Sequence, residues 1–487
     1  MLAAAFLERA FGGLARRAQR DFLFDGAQRI SADVFLSTVK RRQEQLAGLG
    51  FASGHRLLIP AGRRGLYWVD LLAVLGLGGV VVPLASDVSP AHLAHILARA
   101  QPWGMAAPKA PEGLVALSDL EWQQGGENAR PGIAAQSDSD LTAILFTSGT
   151  TGEPKGVMLS GRSLYGNATA TLERIRLGEG DNLFFALAHH FTSAICHFLA
   201  ALASGAALSA IDAKLMSGDF LRLLRESDAT CLGGPPLHLR WLSEAEQDVA
   251  SRLRWAMSSG DHLGEDVVAA LKQKRPGVDI YAFYGLTELG GRFCMLPPGE
   301  ITAHPGSVGS PIPGLRLTIH DDDMNLVPPG QLGEVVADGD YLFDGYINDP
   351  GATRAALCPF GLRTGDLGRQ DDDGRLYLFG RTDDVFKCNG QKVSGLVLGE
   401  ALMNTGLLMD AAVVAESHAV AGHVPHALVV AKDGIDVNRG LLVRQLRDQL
   451  PAYYLPHKVT VVSSLPRSGT GKLLRKEVRK LAGHIPA

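Results

Sequence analysis

Two short stretches of the chain combine backbone freedom, hydroxyl groups and a cation. TSGTTGEPKG occupies residues 147–156, and PRSGTGKLLR occupies residues 466–475. In the first, Gly149 and Gly152 let backbone N–H groups crowd around an anion. The hydroxyls of Thr147, Ser148, Thr150 and Thr151 add donors, and Lys155 brings a compact positive charge. In the second, Lys472 alone sits in a glycine-bearing loop, while Arg475, Lys476, Arg479 and Lys480 read as the solvated face of a helix. Both loops are candidates to meet phosphate, yet neither is a Walker loop. That motif needs Gly-x4-Gly-Lys-Ser/Thr. Here Pro154 precedes Lys155 and Gly156 follows it, and Leu473 follows Lys472.

A third stretch, YAFYGLTELGG at 281–291, sets Thr287 and Glu288 among glycines. A hydroxyl donor beside a hard oxygen ligand in an exposed turn suits a phosphate and its cation. Taken alone, a helix-capping threonine explains the pentapeptide equally well.

The order of these stretches is more telling than any one of them. SGTTGEPKG (148–156) resembles the signature of the adenylate-forming (ANL) superfamily, which contains acyl-CoA synthetases, peptide-synthetase adenylation domains and firefly-type luciferases. The later motifs follow in the family's order over essentially the whole chain. The resemblance implies that Tyr284 lies against adenine, Thr287 hydrogen-bonds the α-phosphate and Glu288 holds Mg2+. SSGD (258–261) falls where the family borders the base, which makes Gly260 and Asp261 adenine-pocket candidates. GEVVADGDYLFDGYINDP (333–350) resembles the structural motif that precedes the ribose site. In RTGDLGRQDDDGRLYLFGR (363–381), Asp366 would accept both ribose hydroxyls, with Tyr377 and Arg381 flanking the nucleotide. Asp383 stands at the family's hinge position, and Lys472 matches its catalytic C-terminal lysine. One departure follows the hinge. Where relatives commonly carry Pro and then Glu-Ile-Glu in a loop that helps form the thiol channel, this chain has GLVLGE, with Gly395, Val397 and Gly399.

What the resemblance implies is a two-step ligase using ATP, Mg2+ and CoA. A carboxylic acid is converted to acyl-AMP with release of pyrophosphate, and the acyl group then passes to a thiol. The 147–156 loop would hold the departing phosphates. Lys472 would serve adenylation only, and rotation at Asp383 would withdraw it before the thiol arrives. The alternative acceptor is the phosphopantetheine arm of an acyl carrier protein, a reading that the altered GLVLGE segment favours. An inactive nucleotide-binding scaffold would be marked by losses at Lys472, Glu288 or Asp366, and all three are present.

The acid itself is read from thinner signals. FALAHHFTSAICHF (185–198) matches the family's aromatic/His segment, making His190 and Phe191 gate candidates. No acidic residue stands near Thr192 to pair a substrate ammonium, which argues against an α-amino acid. Gly233, Gly234, Ser259, Gly285, Gly290 and Gly291 are small and would leave room for an apolar chain or ring. Arg292 reads as a surface cation, with a second substrate carboxylate as its alternative partner.

These residues need a scaffold, and the first third supplies β-α-β alternation. ADVFLSTVKRRQEQLAGLG has helical apolar spacing, HRLLIP (55–60) and VVVPL (80–84) read as strands, and Ser89-Pro90 opens a helix. From about residue 301 the texture changes to short strands, and DDDMN (321–325) and DDDGR (371–375) read as hairpin turns. The segment after the first phosphate loop reads as helix-competent. The expectation is an α/β fold: a large multi-subdomain N-terminal domain with mostly parallel sheets plus a β-rich part, and a small mobile α+β C-terminal domain. The boundaries are 1–381, a hinge at 382–384, and a lid at 385–487 carrying Lys472.

Composition sets the outer limits. At 487 residues the chain exceeds one ordinary core, and 46% hydrophobic with 20% charged residues is globular, not disordered. A net charge of −4 gives no nucleic-acid or membrane-surface footprint. Five scattered cysteines without a C-x-x-C pair argue against zinc or a disulfide framework, and fit a reducing, cytoplasmic setting. The N-terminal MLAAAFLERAFGGLARR reads as an amphipathic helix and not a signal peptide. The longest apolar segment, 198–211, is too short to span a bilayer and reads as core.

Overall fold

The computed structural model describes residues 2–26, 28–123, 130–147, 153–212, 216–467 and 473–484. The opening segment forms helix Leu2–Ala15, which turns Phe6, Leu7, Phe11 and Leu14 inward. Helix Ala32–Gly48 starts at Ser31, whose hydroxyl accepts from Val34 N, and helix Pro90–Ala100 starts at Ser89, whose hydroxyl accepts from His92 N. In both, a serine cap satisfies a backbone donor that the first helical turn leaves without a partner.

Three sheets organise the described chain. In the seven-stranded sheet, Val80–Leu84 lies between Arg56–Pro60 and Leu141–Thr147, all parallel. Lys155–Ser160 and Gly345–Tyr346 then continue it in antiparallel fashion. The second and largest sheet has a parallel heart: Ala207–Ile211, Asn182–Ala186, Cys231–Gly234, Trp255–Ser258 and Asp279–Tyr284. These strands are near-continuous apolar runs because helices cover both faces. Beyond Tyr284 the sheet becomes antiparallel through Cys294–Leu296 and Ser307–Pro311, and reaches Leu376–Arg381 and Gly361–Gln370. The third sheet has five strands, all beyond residue 384, with helices Gly395–Asn404 and Arg475–His484 against it.

One expectation fails at the first phosphate loop. The chain after it does not turn into a helix but returns as strand Lys155–Ser160, with Thr147 paired to Lys155. Val157 and Leu159 alternate into the core, and a helix begins only with the turn Arg162–Gly166. The apolar alternation outweighs helix propensity there. The two Asp triplets behave as turns: Asp321 accepts from Asn325 N at 2.8 Å, and Asp371 accepts from Arg375 N at 2.8 Å.

Helix Thr192–Ser204 positions one wall of the site. It buries Ile195, Phe198, Leu199 and Leu202, and Phe198 stacks on Trp68 with ring centroids 4.4 Å apart. Each such side chain contributes about 1.5–3 kcal/mol when removed from water, so the wall is fixed. A charged cluster missed in the sequence supports the same region. Asp70, wholly buried, pairs with Arg42 at 2.7 Å and Arg63 at 3.0 Å.

Candidate active site

The Thr287–Glu288 pair sits where parallel strand Asp279–Tyr284 ends. After Gly285 the chain makes the short turn Thr287–Leu289 and re-enters the sheet at Cys294. The turn closes so tightly that a Cβ at Gly285 would lie 1.9 Å from Gly291 O. A buried asparagine clamps it. Asn167 donates to Leu289 O at 2.8 Å and Arg292 O at 2.7 Å, and accepts from Arg292 N at 3.2 Å. Nothing in a lone asparagine marks that role in the sequence. The Thr287 hydroxyl lies 2.8 Å from the Thr192 hydroxyl on the facing helix.

Glu288 is tied to the seven-stranded sheet. Its backbone oxygen accepts from Phe343 N at 2.8 Å, and its Oε1 accepts from the Tyr346 hydroxyl at 2.8 Å. Burial first, then the Glu288 charge, push the Tyr346 phenol up, so it stays a donor. The Lys155 ammonium lies 5.0 Å from the Tyr346 ring centroid. Tyr346 therefore links the root of the first phosphate loop to the Glu288 carboxylate. In the sequence its segment reads as structural only. Ser148, Gly149, Thr150, Thr151 and Gly152 lie outside the described residues; Thr147 and Lys155 bracket them as paired strand ends.

A second cluster forms at the adjoining edge. Tyr284 donates its hydroxyl to Asp366 Oδ2 at 2.5 Å, and Arg381 lies 3.3 Å from Asp366 Oδ1. Asp366 and Arg381 are cross-strand partners, which fixes this pairing. Tyr377 is not brought into the cluster. It pairs with Ser307 and Arg369, and the Arg369 guanidinium covers its ring at 4.6 Å. The preceding residues of the same strand, Ala282 and Phe283, line a cavity of about 280 Å³ together with Ser258, Asp261, His262 and Ser307. Gly260, with φ +96°, is the turn that admits Asp261 to its rim, and Ser259 N is held by Gly234 O at 3.0 Å.

The C-terminal part meets this rim directly. His262 Nε2 lies 2.9 Å from Glu400 Oε1, and Arg467 Nη1 lies 3.8 Å from Asp261 Oδ2. Burial alone would lower the His262 pKa; the Glu400 hydrogen bond and charge outweigh it and raise it above 6.5. Lys472 itself lies outside the described residues, within 468–472. The flanks of that segment are joined, Arg467 bridging Leu473 and Leu474 N donating to Pro466 O at 2.9 Å. Asp383 falls in the turn Thr382–Asp384 between the second and third sheets, and its side chain is outside the description.

The acyl-pocket candidates are placed differently from expectation. The glycines do not open free space but admit neighbouring groups. A Cβ on Gly233 would meet the His197 ring at 2.0 Å, on Gly234 the His238 ring at 2.6 Å, on Gly290 Ser163 O at 2.2 Å, and on Gly291 Cys196 Sγ at 2.4 Å. The His190 ring lies 4.2 Å from the Phe191 ring, and burial keeps it neutral. Its neighbour His189 is the core residue, pushed down to about 4 by burial among Tyr67, Trp68 and Phe185. Arg292 is no surface cation, being only 3% exposed.

Comparison with known proteins matches this geometry. The family model of AMP-binding enzymes covers residues 11–347, and that of the AMP-binding enzyme C-terminal domain covers 399–472. The chain belongs to the AMP-binding enzyme family. The expected adenylate-forming, acyl-CoA synthetase type therefore holds, and with it the class of AMP-forming acid–thiol ligase, using ATP and CoA. Among relatives, 4-coumarate-CoA ligase 2 of Narcissus pseudonarcissus is 31% identical over 77% of this chain and 67% of its own. 4-Coumarate–CoA ligase 5 of Oryza sativa subsp. japonica is 28% identical over 98% of this chain and 94% of its own. ATP-bound MatB from Rhodopseudomonas palustris superposes with a TM-score of 0.87 over 99% of both chains at 24% identity, a likeness that carries the fold. Among the described residues no helix is long and apolar enough to cross a membrane.

Proposed function

We propose that the chain activates a small carboxylic acid by adenylation and then transfers the acyl group to CoA. The observation that carries this reading is the contact between the two halves. Arg467, at the root of the Lys472 loop, reaches Asp261 on the rim of the cavity lined by Ser258, Ala282 and Phe283, one residue before Tyr284, which donates to Asp366. A lysine delivered there meets the α-phosphate and the incoming carboxylate.

In the first step, the acid's carboxylate oxygen attacks the α-phosphorus of ATP, the bond to the β-phosphate oxygen breaks, and pyrophosphate leaves. Asp366 accepts from the ribose hydroxyls, Thr287 donates to an α-phosphate oxygen, and the 147–155 loop takes the departing phosphates. Lys472 neutralises charge between carboxylate and phosphate. Glu288 fits a magnesium ion by its donor set: one carboxylate oxygen is oriented by Tyr346, and no lysine or arginine pairs with it among the described residues. A single carboxylate suits an ion held mostly by phosphates and water, which would supply charge neutralisation on ATP. In the second step the CoA sulfur adds to the acyl carbon, AMP leaves, and the thiol proton passes to solvent. Residues 1–381, 382–384 and 385–487 act as body, hinge and lid, in a cytoplasmic setting that free cysteines suit.

Relatives named as 4-coumarate-CoA ligases point to an aromatic or short apolar acid backbone. A second acceptor reading rests on the GLVLGE departure. Residues 395–400 open the helix Gly395–Asn404, and Glu400 is engaged with His262. The segment is thus committed to the body in this arrangement, and a carrier-protein phosphopantetheine is the alternative thiol. The deciding experiment is pyrophosphate release over an acid panel, followed by mass spectrometry with CoA or a carrier protein. No pyrophosphate with any acid would refute adenylation, and thioester on the carrier alone would reassign the acceptor.

A further inference from the structure

Arg292 occupies an unusual electrostatic position. Its guanidinium is buried and permanently charged, yet burial lowers its pKa and no carboxylate of the described chain lies close enough to oppose that. Its side-chain neighbours are the Phe283 ring, 5.1 Å below the guanidinium carbon, Met257 Sδ at 4.0 Å and His197 Nδ1 at 3.3 Å from Nη2. None of these is a counter-ion. His197 Nδ1 lies 2.5 Å from Ser193 O, a separation that requires its proton to point at that carbonyl and leaves no lone pair for Arg292. Cys196 is a neutral thiol donating to Gly290 O at 3.3 Å, its pKa raised by burial. Arg292 Nε makes no hydrogen bond at all. An uncompensated buried charge is strongly destabilising, so a residue of this kind calls for a partner that arrives from outside.

The turn already described fixes where this guanidinium stands. Asn167 grips Arg292 by both backbone groups, and the same turn carries Thr287 against Thr192. The guanidinium thus projects from the site's own loop into the layer between the sheet and helix Thr192–Ser204. Phe283 and Met257 give that layer apolar walls, Nη2 is turned toward Met257 and His197, and Nε is left for recognition.

We propose that Arg292 is a specificity-determining residue that receives a second carboxylate, at the end of the acid remote from the carboxylate being activated. The inference rests on the adenylation reading and narrows it: the substrate class is dicarboxylic, with a short or ring-bearing apolar middle. The 4-coumarate relatives' substrate would lack the group that Arg292 pairs.

The test is pyrophosphate release by the full-length enzyme with matched pairs, succinate against valerate and 4-carboxycinnamate against 4-methylcinnamate. In the better pair, the wild type is expected to favour the diacid by at least ~100-fold in kcat/KM, expressed mostly in KM. Arg292→Met should reverse that preference, and Arg292→Lys should restore part of it, with thermal melting checking that each variant folds. Pyrophosphate release with the monoacid preferred in both pairs would overturn this inference and leave adenylation standing. Equal losses on both members in a folded Arg292→Met variant would do the same. No release with any acid would remove the adenylation reading, and this one with it.

Discussion

The two sides of the site are built in contrasting ways. On the body, the half-buried Thr287 and Glu288 are held by a wholly buried asparagine, a tight glycine contact and a phenol. On the lid, the described contacts with the body's rim are His262–Glu400 and Arg467–Asp261, and the Glu400 and Asp261 side chains are about one-third exposed. Buried hydrogen bonds are costly to break and fix a geometry. Partly exposed ion pairs contribute little each, and they exchange readily for water. The difference assigns permanence to one side and reversibility to the other. It suits the proposed reaction, in which the Thr287–Glu288 turn would serve both steps and Lys472 one.

The contrast breaks first at Asn167. Asn167→Ala leaves two backbone carbonyls and one N–H without their buried partner, so it should lower stability by about 2–4 kcal/mol and slow adenylation together. Denaturant unfolding and pyrophosphate release measure the two. Loss of less than about 0.5 kcal/mol would show that the turn holds without its clamp. A smaller effect is expected for Tyr346→Phe, which keeps the ring under Lys155 but frees Glu288 Oε1. Adenylation should fall roughly tenfold, with the deficit concentrated in the magnesium dependence, and an unchanged magnesium titration would contradict the orienting role.

The smallest effect lies on the lid. His262 gains protons in the closed contact, because its pKa there is raised above 6.5. The contact's contribution is therefore complete below about pH 6.5 and is lost as pH rises through the raised value. Glu400→Gln should flatten that dependence and shift closure by less than about 1 kcal/mol. Fluorescence transfer between labels on body and lid, followed across pH 6–9, reads it. A steep pH dependence that survives in Glu400→Gln would assign the titration elsewhere.

Much of this was legible in the sequence because phosphate chemistry uses few residue types at fixed spacing. The Gly-Thr loop, the Thr287–Glu288 turn and the stretch carrying Asp366 and Arg381 are recognisable as short motifs in a fixed order, and the structure joins Asp366 to Tyr284 and Arg381. What escaped depends on contacts distant along the chain. Asn167 acts on residues 122 and 125 positions away, and Tyr346 on one 58 away. The glycines misled for a related reason. A small residue permits close approach, but only the fold decides whether His197, a carbonyl or a ligand does the approaching. Arg292 shows the same limit, since no local pattern reports that an arginine will be buried without an acid beside it.

The most direct test compares the two half-reactions in Thr287→Ala and Lys472→Ala, one variant on each side. Pyrophosphate release reports adenylation, and thioester formation from supplied acyl-AMP reports transfer. Thr287→Ala should slow both. Lys472→Ala should lose adenylation by roughly 10²–10³-fold or more while converting acyl-AMP to thioester at close to the wild-type rate. Equal loss in both halves for Lys472→Ala would contradict a lysine that comes and goes.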